Sequence, residues 1–562
     1  MEYAVIAVLA VVGIVAVNSI APRVGVAAPL VLVAAGVAVS FIPGVPHIDI
    51  NPEVILAGVL PPLLYSAAVS VPTMEFRRNF SAISGMSVLL VIVGSVLMGF
   101  FFWWVIPDIS LPIAIALGAI VSPTDAVATN IIKRLGVSPR VVTVLEGESM
   151  LNDASALVLL RSAIAAAAVS VTVIQVAFDF AKSVIFAVAI GALVGYIGLR
   201  VRKKISNAAA STAISFVLPF VAFVPAEALD ASGLVAAVTA GLVTSALSAK
   251  YLSPQDRISQ TTNWRTVELL LEGAIFSLMG LELIGIVESV EERHGSVWFA
   301  VGLGGIALVL VLAIRSLYVF MVLVLERRRA RKADASRSEL EDFASLAGEI
   351  DDDRKKRHFA KRVEKRVADV DYLTDSRLGR REGVVLVWAG MRGALTLAAS
   401  QTLPADTPAR STLVLIAFVV AAGSLLIQGG TLPWLVRKLG LVSDTTAADD
   451  AEESGLLDEL SDTASKVLED PELRRPDGTP YDERAVRWLR VALVRERGEE
   501  DRESRPVYGA QINELRLKVI AEQREYLMEA RAVGAHSTDA LRHALRVLDS
   551  DQISAELRND HD

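Results

Sequence analysis

The sequence predicts an all-α polytopic membrane protein with about thirteen transmembrane helices and a cytoplasmic α-helical tail, and three observations carry that expectation. Mean hydropathy is +0.49, and 53% of the 562 residues are apolar, more than a water-soluble chain of this length normally carries. Apolar stretches of about 20 residues recur from Val5 onward, each long enough to span a hydrocarbon core of roughly 30 Å at a helical rise of 1.5 Å per residue. Glycine (37) and proline (22) are both well represented, as is common in membrane helices.

The spans centre on roughly residues 12, 33, 62, 94, 121, 155, 186, 216, 240, 276, 311, 392 and 421, each read from an apolar window of helical length. The first lacks a basic leader and reads as helix one rather than as a removable signal peptide. The third contains Leu60-Pro61-Pro62-Leu63-Leu64-Tyr65-Ser66. The fifth ends in Val121-Ser122-Pro123-Thr124-Asp125-Ala126-Val127, and the sixth runs through Leu145-Glu146-Gly147-Glu148-Ser149-Met150-Leu151-Asn152-Asp153. The tenth, Leu269 to Ile286, is interrupted by Glu268, Glu272 and Glu282. The eleventh carries Arg315 at its middle, and the twelfth carries Gly390-Met391-Arg392-Gly393-Ala394.

Basic residues in the short loops set the orientation. One set of alternate loops holds Arg23, Arg77, Arg78, Lys133, Arg134, Arg140, Arg200, Arg202, Lys203, Lys204, Lys250, Arg257 and Arg265. The other holds Arg293 and Arg410, with Arg161 and Lys182 near span ends. The excess predicts the first set, and the C-terminus, in the cytoplasm, with the N-terminus outside. Omitting span ten would break this alternation, which supports counting it.

The expected boundaries are a transmembrane domain over 1–440, containing a cytoplasmic loop over 326–382, and a cytoplasmic tail over 441–562. The loop mixes Arg327-Arg328-Arg329, Asp351-Asp352-Asp353 and Arg354-Lys355-Lys356-Arg357, the composition of a solvated helical loop, although a triple arginine directly after a span also suits anionic headgroups. The tail begins acidic and disordered-looking. It then offers amphipathic stretches near Tyr481 to Glu496 and Ala510 to Val533, with Leu489, Val491, Leu493, Ile512, Leu515 and Ile520 as an apolar face. A small helical domain is expected, and regulation is the natural role for it.

Several function classes are disfavoured. The net charge of -8 argues against a nucleic-acid binder. With no cysteine there is no thiolate metal site or cysteine nucleophile. All six histidines, at 47, 294, 358, 536, 543 and 561, fall outside the apolar spans, so no Ser/His or His/Glu cluster is available at membrane depth. No P-loop pattern is present, which argues against a primary pump.

The informative residues are the charges inside the spans. A carboxylate at membrane depth costs about 2.5 to 3.5 kcal/mol on insertion scales, so such residues usually face a partner, a cavity or an ion. Pro123 donates no amide hydrogen and clashes with the preceding turn, so span five is expected to break near Asp125. Unwound backbone at that depth is tolerated only against protein or water, where half-helix ends can coordinate cations. The plainer alternative is a proline kink with a capping aspartate. In span six, Ser149 and Asp153 share one helical face while Glu148 and Asn152 share the adjacent one. Asp153, Ser149, Asp125 and the Thr124 backbone form an oxygen set suited to a hard monovalent cation, by extension of the oxygen preference of other hard ions. A structural polar cluster is the competing account. Arg315 and Arg392 each need a carboxylate, a carbonyl cage or water. The favoured pairing is Glu148 with Arg315, which leaves Asp125 and Asp153 free to titrate. The glycines around Arg392 permit a second broken helix opposite span five.

These motifs resemble the monovalent cation/proton antiporters of the sodium/proton exchanger family, in particular its bacterial branch with an Asn-Asp pair. The resemblance rests on Ser122 to Val127, Glu148-Ser149 with Asn152-Asp153, Glu272 to Gly280 with Phe276, Arg315, and Gly390 to Leu395. It covers roughly residues 1–440. It implies inverted repeats formed by helices 1–6 and 8–13, broken helices 5 and 12 crossing at the site, a homodimer in the plasma (inner) membrane, and an elevator-like step. It further implies that Asp153 and Asp125 carry cation and proton, with Ser149 and the Thr124 backbone as ligands of Na+ or another monovalent cation. Asn152 would stabilise the helix crossing, Glu148 and Arg315 would form the buried ion pair, and Arg392 would support the second broken helix. Many relatives have glutamate where this chain has Ser66, which leaves only a neutral oxygen there.

The expected function is secondary active exchange of a monovalent cation for protons, without a cofactor and with the lipid bilayer as the other partner. Burial favours the protonated carboxyl while a bound cation favours the ionised one, so the two compete for the same oxygens. Because Asn152 is neutral where electrogenic relatives have a second aspartate, the resemblance implies one proton per cation. The alternatives are a cation channel, for which no repeated pore-loop signature is visible, and an antiporter-like membrane sensor, which a catalytic tail domain would favour.

Overall fold

A computed structural model of the chain describes residues 2–24, 26–42, 53–168, 173–292, 295–335, 378–442, 446–494, 509–534 and 536–559, with a few isolated positions between 359 and 372. The charged stretch 351–357 expected to be a solvated helix, and Arg293 of the orientation argument, lie outside these residues. The described residues are helical apart from turns and an isolated bridge between Arg474 and Pro480. They form two compact units. One holds residues 1–251, 259–329 and 376–443, and the other holds 252–258, 330–375 and 444–562.

The first unit is the apolar one. Among the described residues eight helical stretches, some joining two of the helices below, are long and apolar enough to cross a membrane, and four shorter apolar ones accompany them at Ile6–Ala21, Ala28–Ser40, Val54–Ser70 and Leu111–Ile120. In chain order the helices are α1 (Glu2–Val24), α2 (Ala28–Ser40), α3 (Leu60–Ser70), α4 (Thr73–Ser84), α5 (Leu90–Val105), α6 (Leu111–Ile120), α7 (Val127–Arg134), α8 (Pro139–Ala168), α9 (Val173–Arg202), α10 (Ala208–Ala228), α11 (Gly233–Tyr251), α12 (Pro254–Leu281), α13 (Leu283–Glu292) and α14 (Val297–Ala335). They continue with α15 (Arg380–Trp388), α16 (Ala394–Gln401), α17 (Arg410–Ser424) and α18 (Gly430–Lys438). The expected spans fall on helices of this set, with gaps at 121–126 and at 389–393, and the tenth crosses from α12 to α13 at Glu282. The tenth span is continuous through Glu268 and Glu272 within α12.

Faces turned to lipid are apolar, with Trp104, Ile174 and Trp298 more than four-fifths exposed. Helix-to-helix contact uses small residues, as it must where lipid removes the hydrophobic drive for association. A Cβ on Gly280 would strike the Val33 carbonyl of α2, and one on Gly36 would strike Ser277 of α12, so these glycines let the two backbones touch. α11 packs against α9, α3 and α10, and α6 sits between α5 and α8 with α16 and α17 against it. α6, α8 and the α15–α16 gap thereby frame one place.

The second unit contains α19 (Thr446–Glu469), α20 (Glu483–Val494), α21 (Gly509–Val533) and α22 (Thr538–Asn559). Ala464, Leu468, Tyr481, Leu489, Leu515 and Val519 form its core. Ile512 and Ile520 are also buried, but Val491 is 48% exposed and does not join the expected face. The side chain of Leu493 is outside the described residues. The acidic start of the tail, read as disordered-looking, is the helix α19. Leu456, Leu460, Ala464 and Leu468, each one turn from the next, are all buried and make an apolar stripe that the surrounding acids conceal in composition. This unit also includes the first turn of α12. There Arg257 Nε donates to Asp549 Oδ2 at 2.9 Å and its Nη2 pairs with Oδ1. Arg524 Nη2 donates to the same Oδ1 at 3.0 Å. Burial and the Arg257 charge together pull the Arg524 guanidinium below its usual range, so Asp549 holds two cations that repel one another.

Candidate functional site

The α6 helix stops at Ile120 and α7 starts at Val127, with Pro123 in the gap as the ring chemistry requires. Asp125 turns back to accept a hydrogen bond from the Val127 amide at 2.8 Å, an Asx turn leading into α7. The second gap lies alongside the first. The Asp125 amide donates to the Met391 carbonyl at 2.7 Å, and a Cβ on Gly393 would overlap the Asp125 carboxylate. The two unwound segments thus meet backbone to backbone at Asp125, and only glycine fits at 393.

Arg392 closes the end of α6. Its Nε donates to the Val121 carbonyl at 3.0 Å, its Nη2 reaches the Ser122 carbonyl at 3.5 Å, and its Nη1 bonds the Gly390 carbonyl. Its own amide donates to Ser424 Oγ at 2.8 Å. A guanidinium suits this place, since the last carbonyls of a helix are unsatisfied and carry partial negative charge. The carbonyls of Val121 and Ser122 at this half-helix end, where the sequence reading allowed a cation to be coordinated, accept from Arg392.

The middle of α8 supplies the second half. Glu148 and Arg315 are each 1% exposed and form a two-pronged ion pair, with Nη2 donating to Oε2 at 2.8 Å and Nη1 paired to Oε1. Arg315 Nε and Nη2 both donate to the Leu386 carbonyl, at 3.0 and 2.8 Å. The pair expected from the sequence is therefore present, and it is anchored to the end of α15. Thr124 Oγ1 donates to Glu148 Oε1 at 3.3 Å, and Asn152 Nδ2 donates to Thr124 Oγ1 at 2.6 Å. Asn152 thus ties α8 to the unwound segment of α6–α7. Its Oδ1 is buried without a protein partner. A cavity is lined by Asn152, Glu148, Ser122 and Arg392 together with the apolar Met86 and Met98.

Asp125 and Asp153 differ from these groups. Both are partly exposed although Thr124, Glu148, Ser149 and Asn152 around them are buried. Among the described residues Asp153 forms no hydrogen bond or ion pair, and the charge that acts on it most is that of Asp125. Ser149 stands one turn from Asp153 on α8. With Glu148 spent on Arg315 and Arg392 spent on carbonyls, no cation among the described residues forms an ion pair with the two aspartates. Among the described residues no group of three or more His, Cys, Asp or Glu could hold a resident metal ion.

Two residues read from the sequence as interruptions of span ten, of which Glu272 also opens a motif of the resemblance, belong near this site. Ser66 of α3 is 3% exposed and donates to Glu268 Oε2 at 3.2 Å. Glu272, one turn further along α12, feels the charges of both Glu268 and Asp125. The signal that could have found them is the i, i+4 spacing of two carboxylates inside an otherwise apolar helix.

Comparison with known proteins supplies the family and the fold. Residues 6–438 match the model of the family described as "Sodium/hydrogen exchanger, transmembrane". An uncharacterised Na+/H+ exchanger of Mycobacterium tuberculosis is 28% identical over 481 residues, covering 83% of this chain and 81% of its own length. A sodium, potassium, lithium and rubidium/H+ antiporter of Bacillus pumilus is 25% identical, covering 73% and 58%. The fold is similar to that of the sodium proton antiporter MjNhaP1 from Methanocaldococcus jannaschii, with a TM-score of 0.55 and 17% identity over 78% of this chain and 99% of that one. With a family match over nearly its whole apolar part, the chain belongs to the transmembrane sodium/hydrogen exchanger family.

Proposed function

We propose that the protein is a secondary antiporter that exchanges a monovalent cation for protons, with Asp125 and Asp153 as the exchanging carboxylates. The single observation that carries this is the separation of charges at the crossing. Glu148, Arg315 and Arg392 satisfy one another or the backbone, while two aspartates stay partly open and without a counter-charge. Such a site is costly to leave ionised and bare at membrane depth. It must hold either a proton or a cation, and competition for the same oxygens, exposed to each side in turn, couples the two flows.

In this reading Ser149 and the Thr124 backbone complete the oxygen set for Na+, with K+ and Li+ as other candidates. Asn152 and Pro123 shape the crossing, Glu148–Arg315 braces it, and Arg392 seals the α6 end. The two gapped helices are counterparts in inverted halves of the unit, and their meeting at Asp125 and Met391 supports that. Because Asn152 is neutral, one proton moves per cation and no net charge crosses. The protein works as a homodimer in the plasma membrane with its N-terminus outside. The tail is regulatory, a role supported by the grip of Asp549 on the first turn of α12, the helix that also carries Glu272.

Proteoliposomes with an acid interior and a pH-sensitive dye test the reading. Addition of Na+ is expected to collapse the gradient with no current in a planar bilayer. A gradient that stays intact with Na+, K+ and Li+ alike would sink it.

A further inference from the structure

We propose that Glu268, held by the hydroxyl of Ser66, is a specificity-determining carboxylate of the exchange site, which draws monovalent cations toward Asp125 and sets how tightly they are taken. This rests on the exchange reading above and adds a residue to it.

The argument starts from α12. Its segment Leu269-Leu270-Leu271 and Ala274-Ile275-Phe276 is apolar, yet Glu268 and Glu272 stand one turn apart on it, a like-charge spacing that destabilises a helix. Such a placement at membrane depth calls for a compensating partner. Ser66 supplies one hydrogen bond, to Oε2 only, and Oε1 has no protein partner among the described residues. Glu272 forms no hydrogen bond or ion pair there. Both glutamates are partly exposed.

Position decides what the open oxygen does. On one side, Glu268 feels the charges of Arg265, Glu146 and Lys133, in that order, and the last two pair at 3.4 Å where the Lys133 side chain is 58% exposed. On the other, it is linked through Glu272 to Asp125. Glu268 is therefore coupled by charge to an exposed rim and, through Glu272, to Asp125. Its partner Ser66 lies on α3, which packs against α8, the helix of Asp153. A hydroxyl at position 66 offers only a weak neutral oxygen, so the strong field needed to strip water from a small cation comes from α12 instead, and selectivity follows that field strength.

The test uses the full chain in proteoliposomes, measuring cation KM and maximal rate separately for Na+, Li+ and K+, with thermal unfolding as a check on folding. Glu268→Gln is expected to raise the Na+ KM about tenfold, equivalent to about 1.4 kcal/mol, with a smaller change in maximal rate and a changed order among the three cations. Ser66→Ala frees the carboxylate and is expected to raise KM less, about two- to fivefold. The double variant Ser66→Glu with Glu268→Gln moves a carboxylate across the 3.2 Å contact and is expected to recover most of the lost affinity. Should Glu268→Gln not fold, the Ser66→Ala result decides alone. Unchanged KM for every cation, or a loss of rate without a change in KM, would overturn the assignment while wild-type exchange left the wider reading standing. No exchange by the wild type would overturn both.

Discussion

At the scale of single residues, the site divides into groups that are satisfied and groups that are not, and each division predicts a different phenotype. Replacing Asp125 or Asp153 by Asn keeps the volume and removes the charge, so exchange in liposomes is expected to vanish while the protein remains in the membrane at wild-type stability. Normal exchange by Asp153→Asn would refute its role. Competition of one proton with one cation also fixes a slope. On the acid side the apparent cation KM should rise up to about tenfold per pH unit as protons occupy the carboxylates, with the maximal rate unaffected. A maximal rate that falls while KM stays flat would argue against competition. Arg315→Ala acts otherwise, because it strands the buried Glu148, and removing one partner of a buried pair typically costs about 3 to 5 kcal/mol. A large drop in melting temperature is therefore expected along with the loss of transport. The Glu148–Arg315 pairing could be read from the sequence by charge balance alone. The shared hydroxyl of Thr124, bonded to Glu148 and Asn152, could not, since nothing in the spacing tells which way a threonine turns.

Among the elements, the two interrupted helices show how a break is made tolerable. Proline and glycine marked both gaps in advance, because a missing amide and a missing Cβ are local properties of those residues. What fills the broken ladder is not local. The carbonyls at the end of α6 are taken by Arg392, more than 250 residues away in sequence, and Met391 accepts the Asp125 amide. Arg392→Ala is therefore expected to leave two carbonyls of the α6 end without their donor and to lower thermal stability by about 2 to 4 kcal/mol. Arg392→Lys should recover only part, because a point charge cannot reproduce the fork. Equal stability of Arg392→Ala and wild type would exclude this role. The α19 helix teaches the converse lesson. Its acids dominate composition, whereas its four buried apolar residues at a spacing of four define the helix, so periodicity rather than average polarity was the property to read.

Over the whole molecule, the Arg257–Asp549–Arg524 cluster ties the first turn of α12 into the four-helix tail unit. Asp549→Ala leaves two partly buried guanidinium groups without their shared carboxylate, and faster cleavage of the tail in limited proteolysis is expected. If the tail is regulatory, the same variant should shift the cation dependence of exchange in the direction given by deleting residues 444–562. Matching curves for wild type, Asp549→Ala and the deletion would remove that role. The sequence by itself determined the membrane class, the places of the spans, the breaks and the carriers of charge, because hydropathy, ring chemistry and the cost of a charge in lipid act on each segment separately. The tertiary structure alone decided which charges are spent and which remain open. It also brought Glu268 of α12 to Ser66 of α3. Hydrogen bonds and ion pairs between distant segments depend on how helices pack, and a single chain of letters does not state which faces meet.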